Sequence, residues 1–307
     1  MTVSFQAKDY SNGYDYKKDV RGGGIAALVA GSTVKIIPQV PMGTKLLPKT
    51  QKVHTYTPEE VTQIRNAAQQ ILKNRGLVEK GVKIKYLSEE TLVAPKSFLE
   101  GLLQALNPIN AIKAGQNAAF TGKGVKGLDT KTLKKVLLEE GNTVLMPEHK
   151  LQGSIFHEIG HADNFNNGKI LKLLQKCRPI SVFLPSLLLM YGAFSKKSRP
   201  KDGETELTKE QKANNFIRDN AGKLSFAAML PMLIEEASAT IKGKKFAENL
   251  VSKDIAKKAT KGNWLGFVSY ACVAVFTSLA ARTAVKIKDR KIEKKELEIK
   301  GQLSLDA

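Results

Sequence analysis

Cysteine, histidine and tryptophan are scarce in this chain. Two cysteines among 307 residues, Cys177 and Cys272, exclude a disulfide-stapled scaffold and a cysteine-built zinc ribbon. No fixed period recurs, which excludes collagen, coiled-coil and repeat architectures. Acidic residues number 29 against 49 lysines and arginines, a formal net charge of +20. That excess suits an anionic partner, either nucleic acid or a membrane face. The lysines flank apolar runs, and no aromatic-interleaved basic strand or recognition helix occurs, so no nucleic-acid partner is expected. A mean hydropathy of −0.23 excludes a protein made mostly of membrane spans. The 42% hydrophobic share is still enough for a buried core.

Residues 1–51 form an N-terminal tail, of which Met1 to Arg21 is polar and tyrosine-flecked, lacks the features of a secretory signal and is expected inside the cell. They include an uncharged, glycine-rich stretch from Gly22 to Val34, readable as a loop with a buried strand or as a short membrane segment. Residues 52–150 read as mixed α and β. Thr57, Pro58, Glu59 and Glu60 announce a helix to Gly76. Val82–Leu87 alternates as a strand, and 96–106 and 128–140 have helical spacing. Asn117–Val125 has a strand-and-turn pattern. Thr143, Val144, Leu145 and Met146 end at Pro147 as an edge strand would.

From Lys150 onward the pattern is helical. Ile180–Phe194, Leu224–Ile234 and Trp264–Ala281 carry no charge, and the last (264–281) is the best transmembrane candidate. A polar loop with room for one helix separates the first two. Residues 242–261 form a lysine-rich linker, and 289–300 a charged amphipathic tail. The expected fold class is mainly α with a small β-sheet, α+β, with membrane-associated helices.

The chemistry lies in His157-Glu158-Ile159-Gly160-His161. On a helix, positions i and i+4 share a face, so both imidazoles can reach one cation, Zn2+ being the expected cofactor at one per chain. Glu158 flanks the position left for water and can shuttle its proton. A third ligand is needed, and no histidine follows His161 at short range. His54, His149 and a distant carboxylate are the alternatives. Glu235-Glu236 stands out because an acidic pair closing an apolar run is costly without compensation. If 179–234 is a hydrophobic hairpin that crosses and returns, it delivers that pair back to the zinc side. The alternative is that neither stretch crosses.

These motifs resemble the integral-membrane gluzincin metallopeptidases, the group of the HtpX-like heat-shock protease and the CAAX prenyl protease. The shared order is H-E-x-x-H, a hydrophobic hairpin, then E-x-x-A-D. Here Glu236 with Ala239 matches the glutamate, with Glu235 the alternative. Asn117-Ala118-Ala119-Phe120 is similar to the family's Asn-Ala-Phe strand motif with one extra alanine, and Thr143–Met146 would then be the edge strand for substrate. The family's aspartate is Thr240 here, so Thr240, or Asp163 just after the motif, is the candidate support for a zinc histidine. The resemblance covers roughly residues 117–240.

It implies a zincin-like domain over 52–241 carrying the 179–234 insert, followed by 242–307. It further implies a zinc endopeptidase acting on a polypeptide substrate, with membrane lipid as the other partner. The lysines of 242–261 favour the cytoplasmic side of a bacterial inner or plasma membrane for the active site. Basic residues flank both ends of 264–281, so that rule assigns the tail no side. The rival expectation is a non-catalytic membrane protein whose H-E-x-x-H is accidental or degenerate.

Overall fold

The computed structural model describes residues 56–88, 108–113, 115, 117–122, 125–128, 135–200 and 205–305. The 1–51 tail with its candidate membrane segment, His54, and the helix expected at 96–106 lie outside the described residues. The described chain is mainly helical with small sheets, an α+β protein.

Its elements are α1 (Pro58–Asn74), β1 (Lys83–Leu87), α2 (Pro108–Lys113), β2 (Ala119–Thr121), β3 (Val125–Leu128), β4 (Lys135–Glu139) and β5 (Thr143–Pro147). A 3-10 turn then leads into α3 (Ile155–Asn167), α4 (Lys169–Lys176), α5 (Arg178–Phe194), α6 (Lys209–Asp219), α7 (Ala221–Leu250) and α8 (Lys253–Leu305). They divide into two compact units. One is built from 56–183 and 226–276, the other from 184–225 and 277–305.

In the first unit α1 starts as its sequence dictates. Thr57 Oγ1 accepts from the Glu60 amide and Glu60 returns a bond to the Thr57 amide, a closed capping box. The inward stripe Ile64, Ala68 and Ile71 is fully buried. The main sheet has the order β1-β5-β2, with β1 parallel and β2 antiparallel to β5. Val144 and Met146 point to the main core with Ile64, Ile71, Phe156 and Ile159, while Leu145 points to the other face with Leu87, Ile109 and Ile112. Thr143–Met146 is therefore the central strand and not the expected edge. It is buried on both faces and hydrogen-bonded on both sides, and Pro147 is tolerated because it closes the strand.

Within the stretch expected as a helix from 128 to 140, the described residues are strand instead: Leu128 ends β3, and Lys135–Glu139 is β4. The two pair antiparallel with an irregularity at Val125/Lys126. Periodicity over so short a window fits both structures, and a non-local partner strand decided between them.

The 3-10 turn sets the angle of α3. Gln152 Nε2 donates to the carbonyls of Pro147, Glu148 and Lys150 at 2.8, 3.1 and 3.2 Å, tying the end of β5 to the start of the helix. Leu151 takes a left-handed φ of 55° to make the corner. The helix buries Ile155, Phe156, Ile159 and Ala162. It lies almost in backbone contact with α7. A Cβ on Gly160 would sit 2.5 Å from the Ala239 carbonyl oxygen, and one on Gly243 would sit 2.9 Å from the His157 nitrogen. Below this contact, Met229 and Met232 of α7 pack on Val273 and Ala274 of α8 and on Val182 of α5.

The second unit holds α6, capped by Thr208 with Gln211, and the adjoining parts of α5, α7 and α8. Leu189, Ala221, Ala281 and Val285 form its core. Ser278 Oγ donates to the Gly222 carbonyl at 2.8 Å. The fully buried Arg218 donates from Nη1 to Ser195 and from Nη2 to Asp289.

Among the described residues two helices, α7 and α8, are long and apolar enough to cross a membrane. Helix α5 joins them only as a bent pair with α4, at 40°. The lysine-rich linker expected at 242–261 is largely helical, continuing α7 and opening α8, and the charged tail stays in α8. Helix α8, with 53 residues, runs about 80 Å. Phe183, Ile180, Val268, Val275 and Phe276 are each about half or more exposed, an apolar surface unlike that of a water-facing helix.

Gly160→Ala and Gly243→Ala are expected to lower thermal stability by about 1–3 kcal/mol each, because backbone must move to admit the methyl. Gly266→Ala, with open space around it, is the neutral control. Melting curves of the detergent-solubilised chain check this.

Candidate metal centre

His157 and His161 lie one turn apart on α3 with their Nε2 atoms 2.9 Å apart. Glu236, from α7, brings Oε2 to 3.2 Å from His157 Nε2 and 3.5 Å from His161 Nε2. Three side chains from two helices thus converge on one point through two ring nitrogens and one carboxylate oxygen. In a tetrahedral site with bonds of roughly 2.0–2.1 Å, ligand atoms stand about 3.3 Å apart, so these three distances bracket that value.

The outward atoms are held as well. His161 Nδ1 lies 2.7 Å from Glu235 Oε1, and an ionised carboxylate only accepts, so Nδ1–H is the donor and Nε2 keeps its lone pair. Asn164 Nδ2 donates to the same oxygen at 3.1 Å, and Ser238 Oγ donates to Asn164 Oδ1 at 3.1 Å. Thr240 Oγ1 stands 3.2 Å from His157 Nδ1. The Thr240 hydroxyl can accept from His157 Nδ1–H, and in that tautomer three acceptors face each other with no donor between them. Such a cluster calls for a cation. Burial, then the adjacent His161, push the His157 imidazole down to about 3, against the opposing pull of Glu158 and Glu235. It is neutral, as a ligand must be.

Charge points the same way. Glu235 and Glu236 are 0% and 1% exposed in the middle of α7, not at the mouth of a helix emerging into water. Their protein counter-charge is Arg178, whose Nη2 contacts Glu236 Oε1 and whose Nε lies 3.9 Å from Glu235 Oε2. Glu158 adds a third carboxylate. The group of three carboxylates and one guanidinium is short of two positive charges, which one divalent cation would supply. The buried donor set could therefore hold a metal ion.

Glu158 is anchored from a different element. Its Oε2 accepts a 2.7 Å bond from the Phe120 amide on β2, whose outer edge faces the site. Asn117, Ala118, Ala119 and Phe120 line a cavity of about 380 Å³ together with His157, Glu158, His161 and Glu236. The opposite wall is largely apolar, from Val182, Met229, Met232 and Val273, with Tyr270 and Asn263. Asn263 is 6% exposed, and its Nδ2 has no hydrogen-bond partner among the described residues.

The structure brings together His157, Glu158, His161, Glu235, Glu236 and Thr240, and leaves others apart. Asp163 is not at the histidines. It is two residues beyond His161, about 200° around the helix, and accepts from Arg75 at 3.0 Å, Lys242 at 2.6 Å and Asn167 at 2.7 Å. Burial raises its carboxyl, but these bonds outweigh that and hold it below the usual range. It fastens α1 and α7 to α3. Asn117 precedes β2 rather than lying in it, and Thr143–Met146 lie inside the sheet. His149 is exposed, with Glu148 Oε2 at 3.8 Å, and is not part of the cluster at His157 and His161.

Sequence reasoning passed over Arg178, the Phe120 amide, Asn263 and Tyr270. Arg178 left one signal, a lone cation opening an apolar run that pairs with the acidic dipeptide closing another. Comparison with protein-family models, curated proteins and solved structures returned no match.

Mass spectrometry of the detergent-purified chain is expected to find about one metal ion per chain, lost in Glu236→Gln and kept in Glu158→Gln. Glu235→Gln and Thr240→Val lower affinity about 10–100-fold, because each only orients a ring. In the metal-free protein, unfolded His157 takes up its proton near 6.5 and the folded residue resists to about 3. Stability is therefore complete above 6.5 and falls as pH drops from there toward 3. The melting temperature of His157→Gln declines less over that window.

Proposed function

We propose that this chain is a membrane-associated zinc metalloendopeptidase with a zincin-like core, of the integral-membrane gluzincin kind its motifs resemble. The convergence of His157 Nε2, His161 Nε2 and Glu236 Oε2 on one point, with Glu158 beside it, is the observation that carries this reading. Two neutral imidazoles and one carboxylate are a donor set that suits zinc with a position left for water. When bound there, zinc supplies a Lewis acid that polarises a carbonyl and acidifies water.

The chain's own residues do the rest. Glu158 Oε2 is tied to the Phe120 amide, so Oε1 is the oxygen that takes the proton from the attacking water and passes it to the leaving amine. Hydrolysis consumes one water and yields a carboxylate and an amine. The outer edge of β2, not β5, is the backbone row along which an extended polypeptide would lie. Asn263 Nδ2, buried and unpartnered in the cavity wall, is the donor offered to a substrate carbonyl. The apolar wall of Val182, Met229, Met232 and Val273 suits an apolar substrate side chain. The lysines between 242 and 261 favour a cytoplasmic site on a membrane of the bacterial inner or plasma type.

The test is hydrolysis of a labelled unstructured polypeptide, casein, by the full chain in detergent. Wild type is expected to cleave it, to stop with a chelator and to resume with zinc. Glu158→Gln falls about 10²–10⁴-fold while keeping its metal. Asn263→Leu loses kcat/KM with metal content unchanged. Cleavage by Glu158→Gln at the wild-type rate, or a well-folded wild type that takes up no zinc, overturns the reading.

A further inference from the structure

The eight residues of α4 do nothing for the metal centre, yet their pattern is the most sharply two-sided among the described helices of eight residues or more. At about 100° per residue, Leu173, Ile170, Leu174 and Leu171 fill one continuous arc, and Lys176, Lys169, Lys172 and Gln175 fill the other. No residue of α4 is buried. Ile170 is 74% exposed and Leu173 60%, an unusual state for large aliphatic side chains on a water-facing helix. Lys172 bends back, its ammonium 4.7 Å from the Phe165 ring.

The neighbouring elements argue for what covers this face. Helix α4 turns by 40° into α5. The first residues of α5 continue the open apolar surface with Ile180 (59%) and Phe183 (54%). Three lysines in eight residues are too many for the hydrocarbon core and suit anionic headgroups at its boundary.

We infer that α4 lies in the plane of an anionic lipid surface, with Ile170 and Leu173 sunk to the level of the acyl boundary and Lys169 and Lys176 among the headgroups. An amphipathic helix of this make-up binds through its buried apolar area and its attraction to anionic lipid together. This inference does not depend on the chemistry at His157 and His161. It makes α4 an in-plane support between the metal-binding helix and the apolar helix that follows.

The test uses the full chain with Cys177→Ser and Cys272→Ser, reconstituted into lipid nanodiscs with and without phosphatidylglycerol. A single cysteine at Leu173→Cys, Ile170→Cys or, as control, Lys169→Cys carries an environment-sensitive fluorophore. In anionic discs the probes at 173 and 170 are expected to shift to the blue. A quencher at the headgroup–acyl boundary reaches them, while the probe at 169 stays open to aqueous iodide. Changing Lys169 and Lys176 to Gln in the Leu173→Cys background lowers the lipid-bound to lipid-free ratio roughly fivefold per charge. Iodide quenching at 173 in every disc overturns the inference. So does shielding from both quenchers, which would mean a protein cover, and so does quenching from the bilayer midplane, which would make α4 part of a span.

Discussion

Two buried carboxylates side by side on an apolar helix are the constraint around which the first unit is organised. Glu235 and Glu236 cannot be hydrated where they lie, and an unpaired charge in such a place is strongly unfavourable. The structure answers from several directions. His161 donates to Glu235, Arg178 reaches both residues, and Glu236 faces the two inward ring nitrogens. The remaining negative charge is what would let the centre hold a cation rather than close as a salt-bridge network. The proposed zinc chemistry uses the same imbalance, since a cation held mainly by charge and geometry needs little further rearrangement.

That arrangement requires α3 and α7 to lie very close. Gly160 against Ala239 and Gly243 against His157 remove the side chains that would hold the helices apart. Asp163, on the far side of α3, then clamps the pair by accepting from Arg75 of the α1 terminus and Lys242 of α7. The residue read from sequence as a support for histidine thus supports the helix pair. Gln152 does the corresponding work at the other end, where it ties α3 to the sheet.

Parts of this were legible along the chain because they are local. The i, i+4 histidines, the capping box at Thr57 and Glu60, and the three uncharged runs are short-range patterns, and each is found on the expected kind of element. Other parts were not. Thr143–Pro147 has the look of an edge strand, but its place in the sheet depends on β1 and β2 lying to either side. The segment ending at Glu139 has helical spacing and is a strand because β3 pairs with it. Between Glu235 and Glu236, adjacency alone does not choose; the family resemblance matches Glu236 through Ala239, with Glu235 the alternative. Glu236 faces both Nε2 atoms and Glu235 takes the outer Nδ1, a choice made by the rotation of α7 against α3.

Sequence by itself determined which side chains are available: two imidazoles one turn apart, a glutamate between them, a compensable acidic pair, and apolar helices edged with lysine. Those follow from covalent order and the 3.6-residue turn. The tertiary structure alone decided the inward carboxylate, the role of Arg178, the β2 amide that anchors Glu158, and the exposure of the apolar arc of α4. Each of these depends on the distance between groups far apart in the chain, and only helix and strand packing sets that distance.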